Sequence, residues 1–282
     1  MDPRTVGPRI RMRMPEMTPS EARVAEVILR HAGGEPLPIK QVADEAETSA
    51  ALVVKTAKKL GFAGFKEMRA AIQAYRGQPN ADLHEDVQPH DTAEVIVQKV
   101  FRTAVQALEE TMAILDMDAF RRAVDVVHAA GQRDFYGLGG SAHIARDVAH
   151  KFLRIGVRAS VHDDTHMMAM SASLLGPRDV VIAFSHSGRT TGVLDAVQIA
   201  RGNGATVIAV TNYGNSPLAA ACDVVLCSTA LGSPLSSENA AARIAQLNIM
   251  DAVFIALAQK DLDRAEHQLA RTMQAVRTKR RP

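Results

Sequence analysis

Two short stretches carry residue types that can hold an anion. Val180-Val-Ile-Ala-Phe184 is a continuous apolar run, and Ser185-His186-Ser187-Gly188-Arg189-Thr190-Thr191 follows it directly. A buried strand, a hydroxyl-rich turn and a helix start fit that pattern. Ser185, Ser187 and Thr190 then converge on one helix N-terminus, together with the backbone N–H groups of Ser187, Gly188 and Arg189. Unpaired N–H groups, the positive end of a helix dipole and three hydroxyls make a cradle for a phosphate monoester, to which Arg189 adds charge. The plainer alternative is a serine-rich turn that caps its own helix. Upstream, Phe135-Tyr-Gly137-Leu-Gly139-Gly140-Ser141-Ala142 repeats the order of strand end, glycine turn and helix start. Glycines there let the backbone approach a ligand closely.

Taken alone, the upstream turn fits G-x-G-x-x-A, a weak dinucleotide fingerprint, and Asp163, 26 residues after Gly137, is the candidate ribose-binding acid. The hydroxyl cluster behind the third strand argues against that reading, because a dinucleotide needs no second phosphate cradle there. His162 and His166 are four residues apart, but a third ligand is missing, so no metal is expected. Asp164, His166 and His186 are candidate sugar contacts, each weighed against an ordinary exposed loop residue. Isomerisation of a sugar needs a base to carry a proton between carbons. The stretch 228–237 holds no Asp, Glu, Lys or His. The expectation is therefore a sensor with no catalytic residue and no cofactor; the alternative is a sugar phosphate isomerase or lyase whose N-terminal helices mediate assembly.

The elements that must position these turns follow from the hydrophobic pattern. Short β-branched runs near 134–138, 158–161, 180–184, 206–210 and 223–227 alternate with helical segments. Such βαβ units predict an α/β fold with a five-stranded parallel sheet covered by helices on both faces. Two long helices, 92–115 and 117–130, precede the sheet, and two more, 236–259 and 261–276, close the chain.

Ahead of the sheet the pattern is purely helical. Residues 1–17 are rich in Arg, Pro and Met without periodicity, which predicts a disordered arm. Thr18-Pro19-Ser20-Glu21 is a capping-box start for a first helix that ends at Gly33-Gly34. A second helix spans 39–46, and the turn Glu47-Thr48-Ser49 leads to a third over 50–60, with a fourth over 64–76. Ala43 is small where the helices must approach, and Val53 faces back toward its partner. Two helices joined by a three-residue turn, the second one basic, describe a helix-turn-helix. Lys55, Lys58 and Lys59 would lie along phosphates, with Ser49, Ala50 and Leu52 toward base edges; a docking bundle with surface lysines is the alternative. Residues 1–80 carry 13 Lys/Arg against 9 Asp/Glu, and 81–282 carry 20 against 22, so a polyanion partner belongs at the N-terminal end. The expected domains are the arm 1–17, a DNA-binding domain 18–77, a polar linker 78–91 and a ligand-binding domain 92–282.

Two resemblances sharpen this. Ser49-Ala-Ala-Leu-Val-Val-Lys-Thr-Ala-Lys-Lys-Leu-Gly-Phe-Ala-Gly-Phe-Lys-Glu67 resembles the helix-turn-helix of the RpiR family of bacterial regulators, in which a basic pair, Leu-Gly-Phe and Gly-Phe follow the recognition helix. Leu52, Lys55 and Thr56 stand where that family usually has Thr, Arg and Phe. The segment 134–260 resembles the sugar isomerase (SIS) domain through four features. They are Gly139-Gly140-Ser141; Ser185-x-Ser187-Gly-x-Thr190; 204–211 leading to Ser216-Pro217-Leu218-Ala219; and Ala242-Arg243-Ile244-Ala245-Gln246-Leu247. The resemblance implies a three-layer αβα SIS domain. It also implies phosphate binding by Ser185, Ser187, Gly188 and Thr190, with Ser141 of the Gly139-Gly140-Ser141 turn nearby and Ser237 facing the sugar. The order of the two parts implies a regulator whose partners are operator DNA and a phosphorylated sugar effector, working as a homodimer or homotetramer.

Bulk properties agree with a soluble, cytoplasmic protein. Of 282 residues, 47% are apolar and 23% charged, and net charge is +2, so a sizeable core can be buried without an extreme surface. No uninterrupted apolar run approaches the ~18 residues of a bilayer span, and no membrane partner is expected. Cys222 and Cys227 flank a strand, where a disulfide is not expected.

Overall fold

The computed structural model describes residues 3–31, 37–76, 87–230, 240–277 and 279. The chain divides into two compact units, Met1–Ile114 with Thr229–Ser233 and Leu115–Ser228 with Pro234–Pro282.

The first unit is all helical. Its elements are α1 (Val6–Arg13), flanked by short 3₁₀ turns at Pro3–Thr5 and Met14–Glu16, then α2 (Pro19–Arg30), α3 (Ile39–Glu45), α4 (Ala50–Lys59), α5 (Phe65–Arg76) and α6 (Ala93–Ile114). The expected disordered arm 1–17 is corrected by α1. Val6 and Ile10, one turn apart, are each 1% exposed and join Val24, Val53, Met68 and Ile72 in one core. Prolines and arginines around this i, i+4 pair hide it from a composition-based reading. The start of α2 is as expected: the Thr18 hydroxyl accepts from the Glu21 backbone, and the Glu21 carboxylate accepts from the Thr18 backbone at 2.9 Å. Helix α6, expected to belong with the sheet, falls instead in this first unit.

A polar cluster fixes α6 within it. The Glu110 carboxylate accepts hydrogen bonds from the Arg11 guanidinium, the Tyr75 hydroxyl and, at 2.9 Å, the Gln106 amide. Glu110 and Gln106 are both buried. Burial opposes the Arg11 charge, but Glu110 and Tyr75 more than offset this and hold the guanidinium above its usual pKa.

The second unit runs α7 (Met117–Ala129), β1 (Arg133–Gly137), α8 (Gly140–Arg154), β2 (Ser160–His162), α9 (Thr165–Ala172), β3 (Val180–Phe184), α10 (Thr191–Gly202), β4 (Thr206–Thr211), α11 (Pro217–Ala221), β5 (Val224–Cys227), α12 (Ala240–Lys260) and α13 (Leu262–Arg277). The five strands are parallel in the order β2-β1-β3-β4-β5. Side chains alternate faces along a strand. Phe135, Ile182, Phe184, Ile208 and Val210 pack under α7, α8, α12 and α13, while Tyr136, Val181, Ala183, Val207 and Ala209 pack under α9, α10 and α11. This is the three-layer αβα arrangement. The second strand begins two residues later than expected, at Ser160.

By length and composition α12 could cross a bilayer, yet it carries Arg243 and Asp251. Its buried residues Ile249, Met250, Val253 and Leu257 belong to the sheet core. Cys222 and Cys227 are free thiols, pushed up to about 12 and about 11 chiefly by burial.

Candidate effector site and DNA-facing helix

In an open parallel sheet, ligands bind where the strand order reverses, outside the carboxyl ends of the strands. Here that crevice lies between β1 and β3, paired in a register that sets Gly137 beside Phe184. The two turns picked out in the sequence leave the sheet from those residues. They line one cavity of about 410 Å³, completed by α12, within the size range of small-molecule sites.

The third-strand turn is tightly braced. The Ser185 hydroxyl is 3.1 Å from the Thr190 hydroxyl and accepts from the Gly188 N–H at 3.2 Å. The Ser187 hydroxyl accepts from the Arg189 N–H at 3.2 Å. Thr190 occupies the N-cap of α10 in extended geometry, yet its side chain does not cap. The side chain at the N-cap thus leaves α10 uncapped, while the Ser185 and Ser187 hydroxyls accept from the Gly188 and Arg189 N–H groups, two of the three that the sequence pattern assigned to an anion.

Gly188 holds φ +62, and a Cβ on it would lie 2.1 Å from Ser216 Oγ and 2.4 Å from Ser216 Cβ. Only glycine fits. The Gly188 carbonyl in turn accepts from Leu218 N at 3.0 Å, and the His186 carbonyl from Asn212 N at 3.1 Å, so the floor of the turn is fixed by the segment after β4. On the first-strand turn, Gly139 is the N-cap of α8 at φ 54, again without a side-chain cap. Gly140 and Ser141 thus open α8 toward the same cavity.

Of the eight expected ligand residues, six line the cavity: Gly140, Ser141, Ser185, His186, Ser187 and Thr190. Gly188 lies buried beneath the turn and shapes it through its backbone. Ser237 is outside the described residues. The structure adds Arg243 and Gln246, one turn apart on α12. Their signal in the sequence is a pair of polar residues three apart in the first half of a helix whose neighbouring positions Ala242, Ala245 and Ile249 are apolar.

Burial lowers the His186 pKa, so its ring is neutral at pH 7. The other candidates have local partners: Asp164 caps α9 by accepting from His166 N and Met167 N, each at 3.0 Å, and Asp163 pairs with Arg146. His162 stands 3.4 Å from the buried Asp134. No cluster of metal-ligating side chains is found among the described residues.

In the first unit, α3 and α4 meet through Val42, Ala43, Val53 and Ala57, all buried. The intervening turn contains Glu47 at φ 50, and Ser49 caps α4 by accepting from Leu52 N at 3.2 Å. Ser49, Ala50, Lys55 and Lys58 are exposed and Leu52 is half-buried. Lys59 is engaged differently. Its ammonium lies 2.7 Å from the Glu21 carboxylate and donates to the Glu16 carbonyl at 3.1 Å. That ion pair, first of all, and the Thr18 backbone hold the Glu21 carboxyl below its usual pKa.

Comparison with known proteins agrees with this division. Residues 5–78 match the model of the helix-turn-helix domain of the rpiR family, and residues 127–256 match the SIS domain. The HTH-type transcriptional regulator RpiR of Escherichia coli strain K12 is 40% identical over 268 residues, covering 95% of this chain and 90% of that protein. An HTH-type transcriptional regulator of Thermotoga maritima is 32% identical over 273 residues, covering 95% and 96%. Among solved structures, the Vibrio vulnificus NanR protein complexed with ManNAc-6P is 26% identical, covers 98% of this chain and 100% of its own, and has a TM-score of 0.63. A helix-turn-helix unit followed by a SIS domain, matched along nearly the whole length of such relatives, shows that this chain belongs to the RpiR family of transcriptional regulators.

Proposed function

We propose that the SIS domain senses a phosphorylated sugar and that its occupancy alters operator binding by the helix-turn-helix unit. The observation that carries this is the braced Ser185–Thr190 turn, whose hydroxyls converge at a helix N-terminus on a cavity large enough for a sugar. NanR, bound to ManNAc-6P, offers a precedent in a neighbour of the same architecture. Ser49, Ala50 and Leu52 at the start of α4 read bases, and Lys55 and Lys58 contact phosphates. Lys59, held by Glu21, steadies the helix. Action on an operator places the protein in the cytoplasm, as a dimer or tetramer matched to a pseudo-palindromic site.

Transmission runs through α6. The chain passes between the units at Ile114–Leu115 and again at Ser228–Thr229. In the ligand unit, the Ser228 hydroxyl bonds to Asn212, whose N–H meets the His186 carbonyl of the phosphate turn. In the DNA unit, Thr111 on α6 accepts from Thr229 N at 3.0 Å, and neighbouring Glu110 holds Arg11 and Tyr75. Effector binding shifts operator affinity by as much as it discriminates between the two states.

The test is a thermal-unfolding screen against sugar phosphates and the corresponding free sugars, followed by operator-binding titrations. A ligand at about a hundred times its Kd adds roughly 2.7 kcal/mol to stability. Stabilisation by one sugar phosphate but not its free sugar, with a matching change in operator affinity, is expected. Equal operator affinity with every sugar phosphate that binds would remove the sensing function.

A further inference from the structure

Deep in the cavity wall, α12 presents an otherwise apolar face to the core: Ala242, Ala245, Ile249 and Val253 are buried. Gln246 interrupts it. It is 1% exposed, lines the cavity, and its Nε2 has no hydrogen-bond partner. An unpaired buried amide N–H is costly and uncommon in a folded protein, and a ligand is one way to satisfy it. Nearby, His186 Nδ1 is also buried without a partner. One helical turn before Gln246, Arg243 lies over the first-strand turn, its Nη1 3.4 Å from the position of a Cβ on Gly140. Arg243 has no carboxylate partner among the described residues.

The hydroxyl cradle accounts for a phosphate and leaves these donors unused. Arginine has only donors, and so does the amide nitrogen of glutamine. Together they seek acceptor oxygens, whereas an ammonium group offers them none and would meet the Arg243 charge. We propose that Arg243 and Gln246 are the specificity-determining pair of the effector site, selecting a sugar phosphate that presents neutral or anionic oxygens over one that presents a free amine. This rests on the phosphate-sensing function proposed above and narrows the class of its ligand.

Calorimetric titration of the full-length protein separates the two ideas. The probes are inorganic phosphate, ribose 5-phosphate, glucose 6-phosphate, 6-phosphogluconate, N-acetylmannosamine 6-phosphate and glucosamine 6-phosphate. At least one oxygen-bearing sugar phosphate should bind about tenfold or more tighter than inorganic phosphate, the worth of about one good hydrogen bond. Glucosamine 6-phosphate should gain nothing over inorganic phosphate. Gln246→Leu and the half-exposed Arg243→Met should cost the preferred sugar phosphate more affinity than inorganic phosphate, narrowing the gap between the two to about threefold or less. The near-isosteric Gln246→Glu, the variant least apt to disturb folding, should reverse the order in favour of glucosamine 6-phosphate.

Unchanged ranking in folded variants, an amino sugar ranked first by the native protein, no sugar phosphate exceeding inorganic phosphate, or equal loss of inorganic phosphate binding would each overturn the assignment. If inorganic phosphate neither binds nor competes in the native protein, and Ser187→Ala changes no affinity, the cradle itself is wrong and the broader function falls with it.

Discussion

Substituting Gly188 by alanine tests the cradle at its most constrained point. Two costs add. A residue with a Cβ in the left-handed region loses about 1–2 kcal/mol, and Gly188 sits at φ +62. The new Cβ would also fall 2.4 Å from Ser216 Cβ and 3.1 Å from Thr211 Oγ1. Ser216 cannot retreat, being 2% exposed with its hydroxyl accepting from Ala219 N to cap α11. Relieving such a clash by backbone shift costs about 1–3 kcal/mol. The sum, about 2–5 kcal/mol, can be met by lost stability or by a displaced turn. Unfolding followed by circular dichroism should show a midpoint lower by about 5–15 °C. Where the turn moves instead, phosphate or sugar phosphate affinity should fall about 30-fold or more. Adding Ser216→Gly removes the steric part and should recover part of the loss, leaving the φ cost. Gly202→Ala is the control: nothing lies within 4 Å of its Cβ position inside α10, so stability should hold or rise by up to about 1 kcal/mol. A Gly188→Ala protein with native midpoint and affinity within threefold would refute the steric reasoning.

Three further outcomes follow from the same geometry. Replacing Glu110 by leucine strands the Arg11 charge beside Tyr75, so denaturant unfolding should report a loss of about 3–5 kcal/mol, while Tyr75→Phe should cost about 1 kcal/mol. Lys55→Ala and Lys58→Ala should each flatten the salt dependence of operator binding by about 0.9 in log–log slope without changing the unfolding midpoint. Lys59→Ala should lower the midpoint instead, because Glu21 loses its partner; a pure affinity effect at Lys59 would contradict its ion pair. His186 titrates below its usual 6.5 because it is buried. Protonation favours the unfolded chain, so stability should be flat above pH 6.5, fall as pH drops below it, and level off beneath the folded pKa. His186→Gln should reduce that fall, and an identical pH profile would show that the ring is not held neutral.

Where local chemistry and tertiary fate coincide, the sequence was readable. Val180–Phe184 is buried on every residue, so a continuous apolar run and a strand are one statement. The cradle hydroxyls follow that strand without a break, which made the site legible from types and spacing. Three features depended on packing that spacing does not encode. Helix α1 is an i, i+4 apolar pair, Val6 and Ile10, within a Pro- and Arg-rich stretch, and it becomes stable only against Val24 and Ile72. Lys58 and Lys59 read alike in sequence and are both exposed, yet the helical phase brings Lys59 to Glu21 while Lys58 has no ion-pair partner among the described residues. Arg243 and Gln246 join the site from more than fifty residues away because α12 forms part of the wall of the cavity at the β1–β3 crevice. Their motif was visible, but its target was a matter of topology.

The cluster around Glu110 makes sense under the proposed function as a device for geometry rather than stability. A buried ion pair with three donors on one carboxylate is rarely more stable than a well-packed apolar substitute. It is, however, intolerant of partial displacement, because moving Glu110 away from Arg11 or Tyr75 leaves a desolvated polar group unmatched. Apolar side chains on α1, α5 and α6 could slide past one another at small cost per step. A carboxylate shared by Arg11 on α1, Tyr75 on α5 and Gln106 on α6 cannot. Under that function, movement reaching α6 through Thr111 would be passed to the helix-turn-helix core as a whole rather than absorbed by local slippage. On this reasoning an apolar replacement of Arg11, Tyr75 and Glu110 together should keep or raise stability while weakening the effect of effector on operator affinity.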